Sequence, residues 1–391
     1  MPNSSNAHSP YTFDSFPPRQ NTGSMKWDML DLNGALPMWV ADMDFRSPPC
    51  VIEALRDYME HGIFGYAIPQ DSLYEAVLGY LQTQFDWRIE KDWIVWLPGL
   101  VTGINVATLA TTESGDGVIT AVPIYPPFAS TPKLHDRELI TVQTRHDDQQ
   151  RWWLDPADLA SKAGDPAKVL LLCNPHNPVG RVYTRDELLA YADIAEQQDL
   201  IICSDEIHCD LILDQDKRHI PIASLSTAIA DRTITLMAPS KTYNLPGFGC
   251  SFAIISNNRL RAAFKRQMRG IVPEVNGAGL IATEAAYRHG ESWRQDLLTY
   301  LRENRDYLVN RIAAEMPELK VNHVEATYLA WLNVEELAID NPVGHFKNHG
   351  TMLSDGSHFL GPGYVRLNFG CPRSMLQEAL DRMQKAMEAL R

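Results

Sequence analysis

Six apolar runs of four or five residues, at 93–96, 117–121, 169–173, 200–203, 233–237 and 251–255, punctuate the middle of this 391-residue chain. Each ends in turn residues, and segments with helical periodicity lie between them. One of these, 184–198, opens with Thr184 and Glu187 at the spacing of a capping box. Strands that alternate with helices pair in parallel through helical crossovers. The pattern therefore predicts an α/β fold, a mostly parallel sheet with helices on both faces. Ligands bind such sheets beyond the carboxyl ends of the strands. The residues that follow each run are the candidates for chemistry.

The chain is too long for one comfortable hydrophobic core, and two domains are expected. Its texture changes near residue 285, where long helical patterns at 284–315 and 374–390 flank strand-like runs at 327–333 and 364–368. A large domain over 50–285 and a smaller α+β domain made of 1–49 with 286–391 are expected. The formal net charge of −14 is broken by no basic run, which argues against nucleic acid and anionic membranes as partners. The six cysteines show no CxxC spacing, and Cys173, Cys203 and Cys250 lie in or beside apolar runs. That usage suits a reducing compartment better than a disulfide framework or a metal site, and no metal is expected. The opening MPNSSNAHSPYTF has neither the basic stretch nor the apolar core of a leader, and no apolar run approaches a membrane span. A cytoplasmic location is expected.

Lys241 stands in APSKTYN (238–244), directly after the run 233–237. A lysine held at the end of a buried strand is desolvated, which disfavours the ammonium form and readies the amine to attack an aldehyde. Asp205, in IICSDEIH (201–208), closes a strongly apolar run. A carboxylate there needs a cation, or else serves as a helix N-cap. Asn177 lies in NPHNPVG (174–180), where two prolines and a glycine fix a loop and leave an amide to donate. Gly99, Leu100 and Val101, in PGLVTG (98–103), open a helical pattern whose free N–H groups suit a phosphate, and Ser240 adds a hydroxyl. Tyr125, in PIYPPF (123–128), offers a ring for stacking or for packing. Arg366, in YVRLNF (364–369), needs an anion. It is either a chain carboxylate or that of a bound amino acid, which the planar fork grips in two places.

In chain order, these residues supply what pyridoxal phosphate chemistry requires. There is a phosphate cradle, a ring platform, a donor to the ring oxygen, an acid for the pyridine nitrogen, an amine for the aldehyde and a grip on the substrate carboxylate. The set resembles fold type I pyridoxal phosphate enzymes, and further blocks narrow the resemblance. RQNTGSMKWD (19–28), PMWVADMDF (37–45), FGY (64–66), DEIH (205–208), EATYLAW (325–331) and VRLNF (365–369) resemble the cystathionine β-lyases, or C–S lyases, of the MalY/PatB type. These blocks span nearly the whole chain.

The resemblance implies the α/β fold of that superfamily, a large domain around a mostly parallel sheet of the seven-stranded type beside a smaller α+β domain. It implies pyridoxal 5′-phosphate as cofactor, and a homodimer with its active sites at the subunit interface. Tyr66 would reach from the neighbouring subunit toward the cofactor phosphate. Lys241 would bond the cofactor, His208 would contact it where aspartate-type aminotransferases carry a tyrosine, and Arg366 would anchor the substrate carboxylate beside Asn177 and Tyr125. The implied reaction is β-elimination of a thiol from L-cystathionine or a related cysteine S-conjugate. An aminotransferase shares the same lysine, and a regulatory protein-binding role can coexist with the same fold, so the residues leave both readings open. Tyr243, where the family usually carries phenylalanine, is expected to add a hydroxyl near the site, and Met38, Trp39 and Tyr328 are expected to size the substrate pocket.

Overall fold

The computed structural model describes residues 11–148 and 150–391. Residues 1–10, most of the stretch read for a leader, lie outside the described residues. The main sheet has seven strands: β1 (Ile94–Leu97), β2 (Gly117–Val122), β3 (Glu138–Gln143), β4 (Ala167–Cys173), β5 (Ile201–Asp205), β6 (Thr233–Met237) and β7 (Ser251–Ile254). Their order is β1-β7-β6-β5-β4-β2-β3. β7 is antiparallel to both neighbours, and every other pair is parallel. All six expected runs are strands. β3 was not among them, because ELITVQ lies at the sheet edge and keeps polar residues on its half-exposed surface.

Alternation along the strands sends successive side chains to opposite faces. Val169 and Leu171 of β4 pack with Ile104 and Ala107 of the helix Leu100–Thr111, whereas Leu170 and Leu172 pack with Leu188 and Tyr191 of the helix Arg185–Gln197. The second of these helices carries the expected Thr184–Glu187 capping box. The first approaches the sheet closely at Gly103, where a Cβ would lie 3.0 Å from Leu236 and 3.1 Å from Leu97. Glycine at this position lets the helix N-terminus rest at the carboxyl end of β1.

A second, antiparallel sheet contains β8 (Lys320–Val321), β9 (Leu329–Asn333), β10 (Ser354–Asp355) and β11 (Tyr364–Asn368), in the order β8-β9-β11-β10. The helix expected over 284–315 is two helices, Gly277–His289 and Glu291–Glu315, separated at Gly290. A Cβ at Gly290 would meet Tyr243 at 2.6 Å, so close packing requires the weak helix former that divides them. The N-terminal segment joins this part of the molecule: Leu36–Pro37 pairs in parallel with Thr351–Met352. All six cysteines are free. Among the described residues no helix is long and apolar enough to cross a membrane.

Candidate active site

β1, β2, β4, β5 and β6 all end at one edge of the main sheet, and a cavity of about 970 Å³ opens there. β1 is followed by Gly99, Leu100 and Val101 at the helix start, β2 by Tyr125, β4 by Asn177 and β6 by Ser240 and Lys241. Asp205 ends β5, with His208 in the next turn, and Arg366 enters from β11. All ten residues line the cavity. Tyr66 does not. It stands fully exposed in the loop between the helices Pro49–His61 and Asp71–Phe85.

Two buried charges in this cavity lack counter-ions. Arg366 makes no ion pair with any described residue. Its Nη1 donates to Asn177 Oδ1 at 3.1 Å, its Nη2 donates to the Trp39 carbonyl at 3.0 Å, and its Nε is buried without a partner. The guanidinium lies 4.5 Å from the centre of the Phe359 ring. Burial lowers its pKa to about 10. A chain carboxylate is thus absent from the one place where it would explain this arginine structurally. Asp205 also has no cation paired with it among the described residues, and it accepts only the Ile207 N–H at 3.1 Å. The segment after it is a series of turns, not a helix to cap. Burial pushes its carboxyl up to about 7.

Lys241 Nζ donates to the Ala41 carbonyl. Burial, and then the charge of Arg366, lower its pKa to about 8, so the amine is readily neutral. The same burial holds His208 well below its ordinary value, and its Nδ1 has no partner. Asn177 spends its Oδ1 on Arg366, so its Nδ2 remains a donor. No side chain caps the helix Leu100–Thr111, and nothing lies within 4 Å of where a Gly99 Cβ would stand. The first N–H groups of that helix are therefore open to an anion.

These features fit pyridoxal phosphate: open amides for a phosphate, an unpaired carboxylate for a pyridinium, and an amine of lowered pKa for an aldehyde. They also carry a pH signature. Folding raises the Asp205 carboxyl above its ordinary 3.8 to about 7, so the native cofactor-free chain holds that proton more tightly than the unfolded chain does. The stabilisation is complete below the unfolded value and is lost as pH rises through the folded one, an effect of roughly 4 kcal/mol at most. Cofactor-free Asp205→Asn protein should accordingly lose less stability than the parent between about pH 5 and about pH 8. Thermal melts of both proteins would show this, and parallel curves would refute it.

The family model described as aminotransferase class I and II matches residues 37–383. The chain belongs to this family. The cystathionine β-lyase PatB of Bacillus subtilis (strain 168) is 36% identical over 386 residues, which cover 96% of this chain and 99% of PatB. Among solved structures, OvoB is 43% identical with a TM-score of 0.93, over 96% of this chain and 99% of its own. Cystalysin from Treponema denticola, which contains a pyridoxal 5′-phosphate cofactor, is 33% identical with a TM-score of 0.93, over 97% of this chain and 100% of its own. Within the aminotransferase class I and II family the chain groups with the cystathionine β-lyases.

Two of the sequence blocks that carried the resemblance interlock. Arg19 and Lys26 of RQNTGSMKWD pair with Asp42 and Asp44 of PMWVADMDF: Arg19 Nη2 lies 2.8 Å from Asp42 Oδ2 and Lys26 Nζ 2.5 Å from Asp44 Oδ2. Trp27 Nε1 donates to Asp44 at 2.9 Å, and the Asp28 carboxylate accepts four backbone N–H groups from Asn21 to Ser24 at 2.8–3.0 Å. This clasp holds residues 39–43 as one wall of the cavity, with Trp39, Ala41 and Asp42 lining it. Ala41 and Asp42 were not singled out in the sequence, although two cations in one block facing two acids in the next were a readable signal. Trp39 lines the cavity as expected. Met38 and Tyr328 are instead fully buried outside the lining. Tyr243 also lies outside the lining. Its ring packs against Tyr287 and Trp293 at 6.3 and 6.2 Å, so its hydroxyl adds nothing to the site.

Proposed function

We propose that the protein is a pyridoxal phosphate-dependent carbon–sulfur lyase that eliminates a thiol from L-cystathionine or a related cysteine S-conjugate. Water is consumed, and thiol, pyruvate and ammonia are released. The observation that carries the reading is Arg366: a fully enclosed guanidinium without a chain carboxylate, in the same cavity as Lys241 and Asp205. The name of one similar protein agrees with it. PatB is a cystathionine β-lyase.

When bound, the cofactor supplies an electron sink joined to the substrate amine, which acidifies the α-carbon and allows the β-substituent to leave. The amides of Leu100 and Val101 with the Ser240 hydroxyl would hold its phosphate, Asp205 its pyridine nitrogen, and Asn177 Nδ2 its ring oxygen. Tyr125 and His208 would flank the ring. Arg366 binds the substrate carboxylate through paired N–H donors and so fixes the α-carbon relative to Lys241. The Lys241 amine removes the α-proton as general base and returns a proton to the departing sulfur. Apposition of a large domain (50–285) and a small one (1–49 with 286–391) would then form the site from both sides, since Lys241 belongs to one and Arg366 to the other.

The working unit in this reading is a cytoplasmic homodimer in which Tyr66 reaches the partner's cofactor phosphate. Its support is a strip of exposed apolar residues around Tyr66: Ile63, Phe64 and Ile68 are 69%, 61% and 72% exposed, more than a free surface loop requires. The deciding experiment supplies purified protein with pyridoxal phosphate and L-cystathionine, without a keto acid, and measures thiol and pyruvate. Equal yields are expected. A holoenzyme that binds the cofactor but releases no thiol, and reacts only when a keto acid is added, would move the assignment to transamination.

A further inference from the structure

Five consecutive carbonyls, from Trp39 to Met43, accept hydrogen bonds from side chains: those of Arg366, Asn368, Lys241, Asn368 again and Asn244. Together with the clasp of Arg19 and Lys26 on Asp42 and Asp44, these donors, rather than a sheet ladder, hold the segment in place. The Ala41 oxygen serves a second donor as well. Lys241 Nζ donates to it, and so does the Tyr328 hydroxyl at 3.0 Å. A carbonyl has two lone pairs and accommodates both. Tyr328 is fully buried, and burial holds its phenol protonated, so it donates across the working pH range. Its ring meets that of His208 edge-on at 6.2 Å.

We propose that Tyr328 is a positioning residue that keeps the Ala41 carbonyl satisfied while the Lys241 amine leaves it for the cofactor. The inference rests on the assignment of Lys241 as the cofactor-bonding lysine. As the neutral amine condenses with the aldehyde, a C=N bond forms, and the two amine hydrogens leave with the aldehyde oxygen as water. The nitrogen, now held at the cofactor, no longer donates to Ala41. With Tyr328 in place the oxygen keeps one partner in both states. Without it, cofactor capture takes away the last side-chain donor of this half-buried oxygen, and the cost falls on the captured state alone. The Tyr328 hydroxyl touches Ala41 rather than the reacting atoms, so its effect passes through Lys241.

The test compares full-length parent and Tyr328→Phe proteins for affinity toward two compounds, pyridoxal 5′-phosphate and pyridoxamine 5′-phosphate, by fluorescence titration. The second shares ring and phosphate but has no aldehyde, and therefore leaves Lys241 on Ala41. Tyr328→Phe should weaken the aldehyde form about tenfold and change the amine form less than about twofold. A parallel loss of both affinities would mark a general structural defect and overturn the proposal, as would no change in either. Failure of the parent itself to favour the aldehyde form would overturn the Lys241 assignment and the proposal together.

Discussion

Lys241→Ala protein should release thiol from L-cystathionine at least roughly 10³-fold more slowly than the parent. The amine is assigned two jobs, bonding the cofactor and moving the α-proton, and no other described side chain lining the cavity offers an amine to replace it. Stability should not fall with activity. In the cofactor-free chain Lys241 is a half-buried base with its pKa lowered from 10.5 to about 8, so its ammonium burdens the native state below the folded value and the burden fades as pH rises toward the unfolded one. Two measurements separate the roles. Coupled pyruvate release reads turnover, and borohydride reduction reads attachment, fixing the cofactor to the parent chain at Lys241 and leaving it removable from the variant. Turnover near the parent rate would remove Lys241 from the reaction.

The second large effect is at Arg366. Arg366→Met should lower kcat/KM by roughly 10²–10³, chiefly through KM, the range for losing one partner of an enclosed charge-assisted pair. The same change should leave the cofactor-free chain as stable as before or more so. Burial lowers the guanidinium from 12.5 to about 10, so the native state carries a penalty of up to roughly 3 kcal/mol at neutral pH that disappears only as pH rises through the unfolded value. Methionine removes the penalty. Loss of the bond to Asn177 takes back part of the gain, while the Trp39 carbonyl keeps Ser354 Oγ at 2.8 Å. Steady-state kinetics and thermal melts of the two proteins check both halves. A large drop in melting temperature accompanying the loss of activity would make Arg366 a structural residue.

The residues legible in the sequence share one trait: each is a polar side chain set against an apolar run. Asp205 after IICS, Arg366 within YVRLNF and Lys241 after TITLM stand out because burial makes an unpaired charge costly, and the structure places all three around one cavity. The strands were legible for the related reason that β4, β5 and β6 are enclosed on both faces and read as continuous apolar runs. β3 escaped because an edge strand keeps its polar residues, and the break at Gly290 escaped because it answers to Tyr243, a residue distant in sequence. Tyr243 and Tyr328 were misplaced since proximity along the chain, or membership in a marked block, says nothing about which way a ring turns. The wall at 39–43 was illegible for a deeper reason. It acts through peptide oxygens, and every residue type carries one.

That last point sets a limit on what genetics can discover about this site. At Val40 and Ala41 the chain contributes a carbonyl to Asn368 and to Lys241, and exchange of the side chain leaves that oxygen in place. A codon-by-codon scan should therefore record these two positions as tolerant although they border Lys241. The constraint will surface instead as intolerance at the donors, and as epistasis among Arg19, Lys26, Asp42 and Asp44, whose pairings set the path of the backbone between them. Ester-for-amide replacement, which weakens the carbonyl as an acceptor without altering a side chain, would expose what the genetic code passes over.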